Sequence, residues 1–144
     1  MAVEPHPENY RALLKGVQLN GLTNVIALNV AAYDQNTQLE LFFGSHSGTH
    51  SLKWDRARAR DTSRIKVKAK ALDAVLPELG ITRIDWIKVD VEGSEFEVLM
   101  GLRRTLMAYN PKVIVEVECR NQEKVENLMN VIGYARANYL QKFR

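Results

Sequence analysis

The sequence predicts an α/β fold with a mostly parallel sheet and helices on both faces. Three observations carry that expectation. Short β-branched runs alternate with segments of helical period, an order that parallel strands joined by crossover helices explain. Residues 84–89 (Ile-Asp-Trp-Ile-Lys-Val) suit a short, mostly buried strand, and they run through an acidic turn into a helical pattern. Acidic side chains also follow two other strand-like runs, at Glu4 and Asp34. In open α/β sheets ligands sit beyond the carboxyl ends of the strands, which is where Glu4, Asp34 and Asp90 fall.

Each element has its own local reason. Pro5 and Pro7 stop a strand at Glu4 and open a helix, whose apolar face is Tyr10, Leu13, Leu14, Val17 and Leu19 and whose end is Asn20-Gly21. Residues 24–32 read as one buried strand. Residues 38–43 and 65–70 both alternate, and they predict an antiparallel ribbon inserted around 38–70. Between them lie roughly twenty polar residues, longer than loops of compact domains usually run. Leu72, Val75, Leu76 and Leu79 predict a short helix stopped by Gly80. Beyond the acidic turn, Ser94 is placed to cap a helix over 95–109 that carries Phe96, Leu99, Leu102 and Leu106 on one face. Residues 113–117 predict a strand, 122–132 a helix stopped by Gly133, and 134–143 a final strand or strand pair.

Composition narrows the function. A chain of 144 residues fits one domain, and 46% apolar residues is ordinary for a globular protein. No apolar run approaches the ~18–20 residues of a membrane span, and no signal-peptide pattern opens the chain. Cys119 is the lone cysteine, so no internal disulfide and no cysteine metal cluster is expected. A cytoplasmic setting follows as the expectation. Net charge is +3, and the basic run over 53–70 suits a solvated face better than a nucleic-acid interface, since only Trp54 is near it for base stacking. His46 and His50 have a spacing of four, but Ser-Gly-Thr between them argues against a helix and so against a metal site.

Asp90 and Glu92 admit two readings. They can bias the first turn of the following helix, where negative charge is favoured. Or they can serve a ligand, since two carboxylates at a strand end cost desolvation unless something uses them.

Several segments together resemble the FkbM family of S-adenosylmethionine-dependent methyltransferases. They are residues 3–9 (Val-Glu-Pro-His-Pro-Glu-Asn), 19–25 (Leu-Asn-Gly-Leu-Thr-Asn-Val), 31–34 (Ala-Ala-Tyr-Asp), Leu72-Asp73, 84–95 and 111–118 (Pro-Lys-Val-Ile-Val-Glu-Val-Glu). The most specific of them is Lys-Val-Asp-Val-Glu-Gly-Ser-Glu at 88–95. The resemblance implies a Rossmann-like class I methyltransferase sheet, S-adenosyl-L-methionine as cofactor, and methyl transfer to an oxygen, on a small-molecule or sugar acceptor. It implies that Glu4 binds the ribose hydroxyls and that Asn29, Ala31 and Asp34 lie near the adenine. Asp90 would touch the cofactor and, with Glu92, act beside the methyl group and the acceptor. His50 and Ser51 fall in a variable region expected to meet the substrate.

The resemblance lacks the family's opening strand, its glycine-rich cofactor turn and the helix that follows. Only Met1, Ala2 and Val3 precede Glu4, and Gly44 and Gly48 open no helix that could substitute. The expectation is therefore one N-terminally truncated methyltransferase-like domain over 1–144 that binds cofactor weakly or not at all by itself. The strands ending at Glu4 and Asp90 should pair directly or leave an open edge, through which a homodimer could form. The alternative is a non-catalytic binding or dimerisation module on a degenerate methyltransferase scaffold.

Overall fold

The computed structural model describes residues 1–43, 50–52 and 64–135. Strand β1 (Ala2–Val3) leads into helix α1 (Pro7–Leu19), and β2 (Ala27–Leu28) returns parallel to β1 with Ala2 opposite Ala27. The chain then steps to a second sheet. There β3 (Ala31–Tyr33) runs parallel to β5 (Arg64–Ala71), and β4 (Thr37–Phe42) pairs antiparallel with the other edge of β5. Helix α2 (Leu72–Glu78) follows directly. Strand β6 (Trp86–Val89), helices α3 (Glu95–Met100) and α4 (Arg103–Tyr109), strand β7 (Lys112–Val115) and helix α5 (Gln122–Val131) complete the described order. β6 and β7 are parallel, with Val89 opposite Val115.

The ribbon predicted around 38–70 forms, and Leu39 opposes Val67 as alternation requires. Other expectations are corrected. The strands ending at Glu4 and Asp90 do not pair directly: the described strands form three sheets, of two, three and two strands. Of the four strand pairings, the three that join β1 to β2, β3 to β5 and β6 to β7 are parallel. The predicted strand over 24–32 is two strands in two sheets. Asn29, between them, donates its side-chain amide to the carbonyls of Glu4 at 2.8 Å and Pro5 at 3.1 Å, which ties the crossing to the end of β1. The predicted helix over 95–109 breaks at Gly101, because the Tyr33 carbonyl packs where a side chain at Gly101 would sit. The Gly101 carbonyl accepts the Asp73 N–H at 2.8 Å instead of continuing the helix. The predicted terminal strand over 134–143 lies almost wholly outside the described residues, as do His46 and most of the basic run.

Two apolar clusters hold the fold. The larger gathers α2, α3, α4 and α5 over β6, around Leu76, Val89, Leu99, Leu106 and Leu128. Leu99 and Leu106 are fully buried, worth about 1.5–3 kcal/mol each. The smaller is Ala31, Leu41, Val67 and Ala69 in the three-stranded sheet. Helix α1 has no buried residue despite its predicted apolar face, and Leu14 and Leu19 are exposed.

Candidate functional site

The ends of β1 and β6 meet at one cavity of about 830 Å³. Its polar rim includes Glu4, His50, Asp90 and Glu92, and its apolar lining includes Ala31, Ala32, Leu72, Leu76, Val98 and Leu102. Glu4 and Asp90 belong to different sheets and to opposite halves of the chain. Only folding brings them together.

Glu4 is held from both sides. Its Oε1 accepts the His6 backbone N–H at 2.8 Å, and its carbonyl accepts the Asn29 side chain. Pro5 gives the turn its shape, since its fixed φ and missing N–H end β1 there. The His6 ring is buried and stacks on His50, centroids 4.5 Å apart and planes at 29°, with Phe43 edge-on to His6 at 5.0 Å. Burial lowers the pKa of His50 below its ordinary value. The neighbouring His6 lowers it further, and Glu4 partly offsets both. Neutral His50 therefore prevails at pH 7.

Ser51 lies beside this rim but not in it. It is buried, its backbone exchanges two hydrogen bonds with Phe42, and its hydroxyl donates to the Glu92 carbonyl at 2.7 Å. Ser51 thus fixes the acidic turn to the three-stranded sheet. Asn29 acts on the backbone at Glu4, and Asp34 packs near Gly101, so neither lines the cavity, whereas Ala31 does.

The turn after β6 is unusual in its backbone. Glu92 has φ +48°, a left-handed conformation rare for a residue with a side chain, and Gly93 follows at φ +103°. Strain of this kind costs about 1–3 kcal/mol and persists where surrounding contacts over-determine it. Here the contacts can be named. The Glu92 carbonyl takes the Ser51 hydroxyl, and the Gly93 N–H donates to Glu95 Oε1 at 2.8 Å. Glu95 is fully buried, and its other oxygen accepts the Asn121 side chain, which also donates to the Gly93 carbonyl at 3.0 Å. Glu118 and Arg120, an ion pair at 2.9 Å, close over the α-carbon of Gly93.

Sequence reasoning missed Glu95, Glu118, Arg120 and Asn121. The last three are brought to the turn by β7 and the short 3-10 turn Cys119–Asn121, and nothing local announces them. Ser94, expected as the helix cap, makes no side-chain capping bond, and its buried hydroxyl has no partner among the described residues. Asp90 takes Lys88 Nζ at 2.8 Å, so its local partner is a lysine of β6 and not the helix end. No described helix is long and apolar enough to cross a membrane.

Known proteins give this geometry its context. Residues 1–140 match the family described as the methyltransferase FkbM domain. The methyltransferase sdnD of Sordaria araneosa is 31% identical over an alignment that covers 81% of this chain and 56% of sdnD. The AMB antimetabolite synthetase AmbE of Pseudomonas aeruginosa is 38% identical over 63 residues, which are 44% of this chain and 3% of AmbE. The chain thus spans little more than half of one curated relative and a small part of the other. Among solved structures, a methyltransferase FkbM from Methylobacillus flagellatus KT superposes with a TM-score of 0.58 at 18% identity, covering 90% of this chain and 29% of that one. With an α/β fold that matches a solved FkbM methyltransferase and a family match over nearly its whole length, this chain belongs to the FkbM methyltransferase family.

Proposed function

We propose that the chain carries the cofactor and acceptor site of an S-adenosylmethionine-dependent O-methyltransferase acting on a hydroxyl of a small molecule or sugar. The observation that carries the reading is the meeting of Glu4 and Asp90 at the rim of one largely apolar cavity. A nucleoside with two vicinal hydroxyls fits this donor set. Only one Glu4 oxygen receives a hydrogen bond among the described residues, which leaves Oε2 to accept a hydroxyl, and bonds to an ionised carboxylate are charge-assisted. The apolar wall that includes Ala31 and Ala32 suits a flat base, since small side chains leave room for a ring.

The cofactor supplies an activated methyl group when bound. The chain's own residues do the rest. Glu4 orients the ribose. Asp90, fixed by Lys88, accepts or orients the acceptor's hydroxyl proton. Glu92, held in its strained turn by Ser51, places a second carboxylate beside it. His50 stands in the lining of the cavity where the acceptor would meet it. Ser51 acts through the backbone and not by touching the acceptor.

The test is a titration of the ¹⁵N-labelled chain with S-adenosylhomocysteine, followed by amide chemical shifts. Binding is expected to be weak, with shifts concentrated at residues 4–6, 31–32 and 90–92. The Glu4→Gln variant should weaken it about tenfold, the loss of one charge-assisted bond. Equal affinity in wild type and variant, or shifts spread away from this cavity, would overturn the assignment.

A further inference from the structure

The outward face of the three-stranded sheet carries a charge pattern that the cavity does not use. Side chains of β5 alternate. Val67 and Ala69 are buried in the smaller apolar cluster, whereas Arg64, Lys66 and Lys68 are exposed and Lys70 is half-buried. Alternate residues of a strand share a face, so these cations form one line with about 6.6–6.8 Å between neighbours. The flanking strands do little to neutralise it. Lys66 lies opposite Glu40, Lys68 opposite Gln38 and Lys70 opposite Ala32. Glu40 gives its carboxylate to Arg64 at 3.2 Å, and among the described residues no hydrogen bond or ion pair reaches Lys66, Lys68 or Lys70.

The row does not serve the fold. Lysines on a strand often guard an exposed edge, but β5 is the central strand, paired on both sides. Lysine is also disfavoured in strands, and like charges in line repel. The shape of the row says what it fits. It is one strand wide, so a broad anionic surface such as a duplex or a membrane would also meet Glu40. Phe42, opposite Arg64, is the aromatic residue of this face among the described residues of the sheet, and it is buried, so unpaired bases find no stacking platform. An extended polypeptide, by contrast, repeats its alternate side chains at the spacing of the row itself.

We propose that the outward face of β5 docks an extended acidic segment of a partner protein, with carboxylates at alternate positions matched to Lys66, Lys68 and Lys70. Lys70 stands beside Ala32, a residue of the cavity wall, so the docked segment ends next to the cavity. The docking does not depend on the methyl-transfer reading, since none of these lysines lines the cavity.

The probe is an acetylated, amidated peptide of alternating Glu and Thr, as long as the 8 residues of β5. Its control has the same composition with the glutamates in one block. Added to the ¹⁵N-labelled chain at low ionic strength, the alternating peptide should bind one to one and shift the amides of residues 64–70. It should bind at least about fivefold tighter than the block peptide, which brings only half of its acids to the face. Binding should fade as salt is raised. The double variant Lys66→Gln, Lys68→Gln should lower affinity for the alternating peptide at least about fivefold. Its urea midpoint should not fall, since neither lysine has a partner among the described residues. No binding, equal affinity for the two peptides, or binding that survives the double substitution would overturn the proposal. So would tighter binding of an oligothymidylate of about twelve nucleotides to the same residues, which would make the face a nucleic-acid surface.

Discussion

Gly93 shows how one residue sets the site. Its φ of +103° is open to glycine and strained for any L side chain. An added Cβ would stand 2.9 Å from Arg120 Nη2 and 3.0 Å from Glu118 Oε1, both ends of side chains that can shift. The backbone term therefore dominates, and Gly93→Ala should destabilise the fold by about 1–3 kcal/mol in urea unfolding. His50 answers a different question, that of pH. Its pKa is lowered in the folded chain by burial and by His6. When pH falls below the unfolded value of about 6.5, the unfolded chain binds the proton first, so stability drops until the folded pKa is passed. Above that window the neutral ring costs nothing. The melting temperature of wild type should thus fall more between about pH 7.5 and about pH 5.5 than that of His50→Phe, which keeps an aromatic ring and loses the proton site. An equal fall would remove His50 from the pH response.

At the scale of elements, Asp73 does work that its helix does not need. It sits in the first turn of α2, yet its carboxylate accepts the N–H groups of Arg104 and Thr105, both at 2.8 Å, at the start of α4. Its own N–H goes to Gly101 at the break before α4. One side chain thus caps a neighbouring helix that has no side-chain cap of its own. Asp73→Ala should cost about 1–2 kcal/mol in the urea midpoint, and Asp73→Asn, which keeps one acceptor oxygen, about half as much. The same feature explains why the sequence reads as one helix over 95–109. Phe96, Leu99, Leu102 and Leu106 keep the helical period across the break. The interruption comes from Tyr33 and Asp73, which are distant in the chain. The β4–β5 ribbon is the opposite case. Its alternation is a property of each strand, so the two strands could be read as an antiparallel ribbon before any contact was known, and the structure supplies the register of Leu39 on Val67.

For the whole molecule, what was legible follows the same division. The acids at strand ends, Glu4 and Asp90, could be found because the pattern of strand, acidic turn and helix is local. The brace of Glu95, Asn121, Glu118 and Arg120 could not, because it exists only when β7 lies beside β6. The period of α1 was legible too, but not its exposure, because burial depends on what packs against a face. That last mismatch predicts how stability is distributed. Helices α3 and α5 contribute Val98, Leu99, Val125 and Leu128 to the larger apolar cluster. Helix α1 buries no residue, and among the described residues its side chains reach β2 through Tyr10, whose hydroxyl donates to the Ala27 carbonyl at a long 3.4 Å. Local opening energies run from near zero to the global value according to such burial. In native-state hydrogen exchange at low denaturant, amides of α1 should therefore exchange through local opening, at least about tenfold faster than those of α3. Leu106→Ala, in the larger cluster, should accelerate exchange in α3 and leave α1 nearly unchanged, because α1 already opens without the core. If α1 and α3 instead exchanged at one common rate that Leu106→Ala raised in both, the molecule would open as one cooperative unit, and α1 would owe its order to contacts beyond its own exposed face.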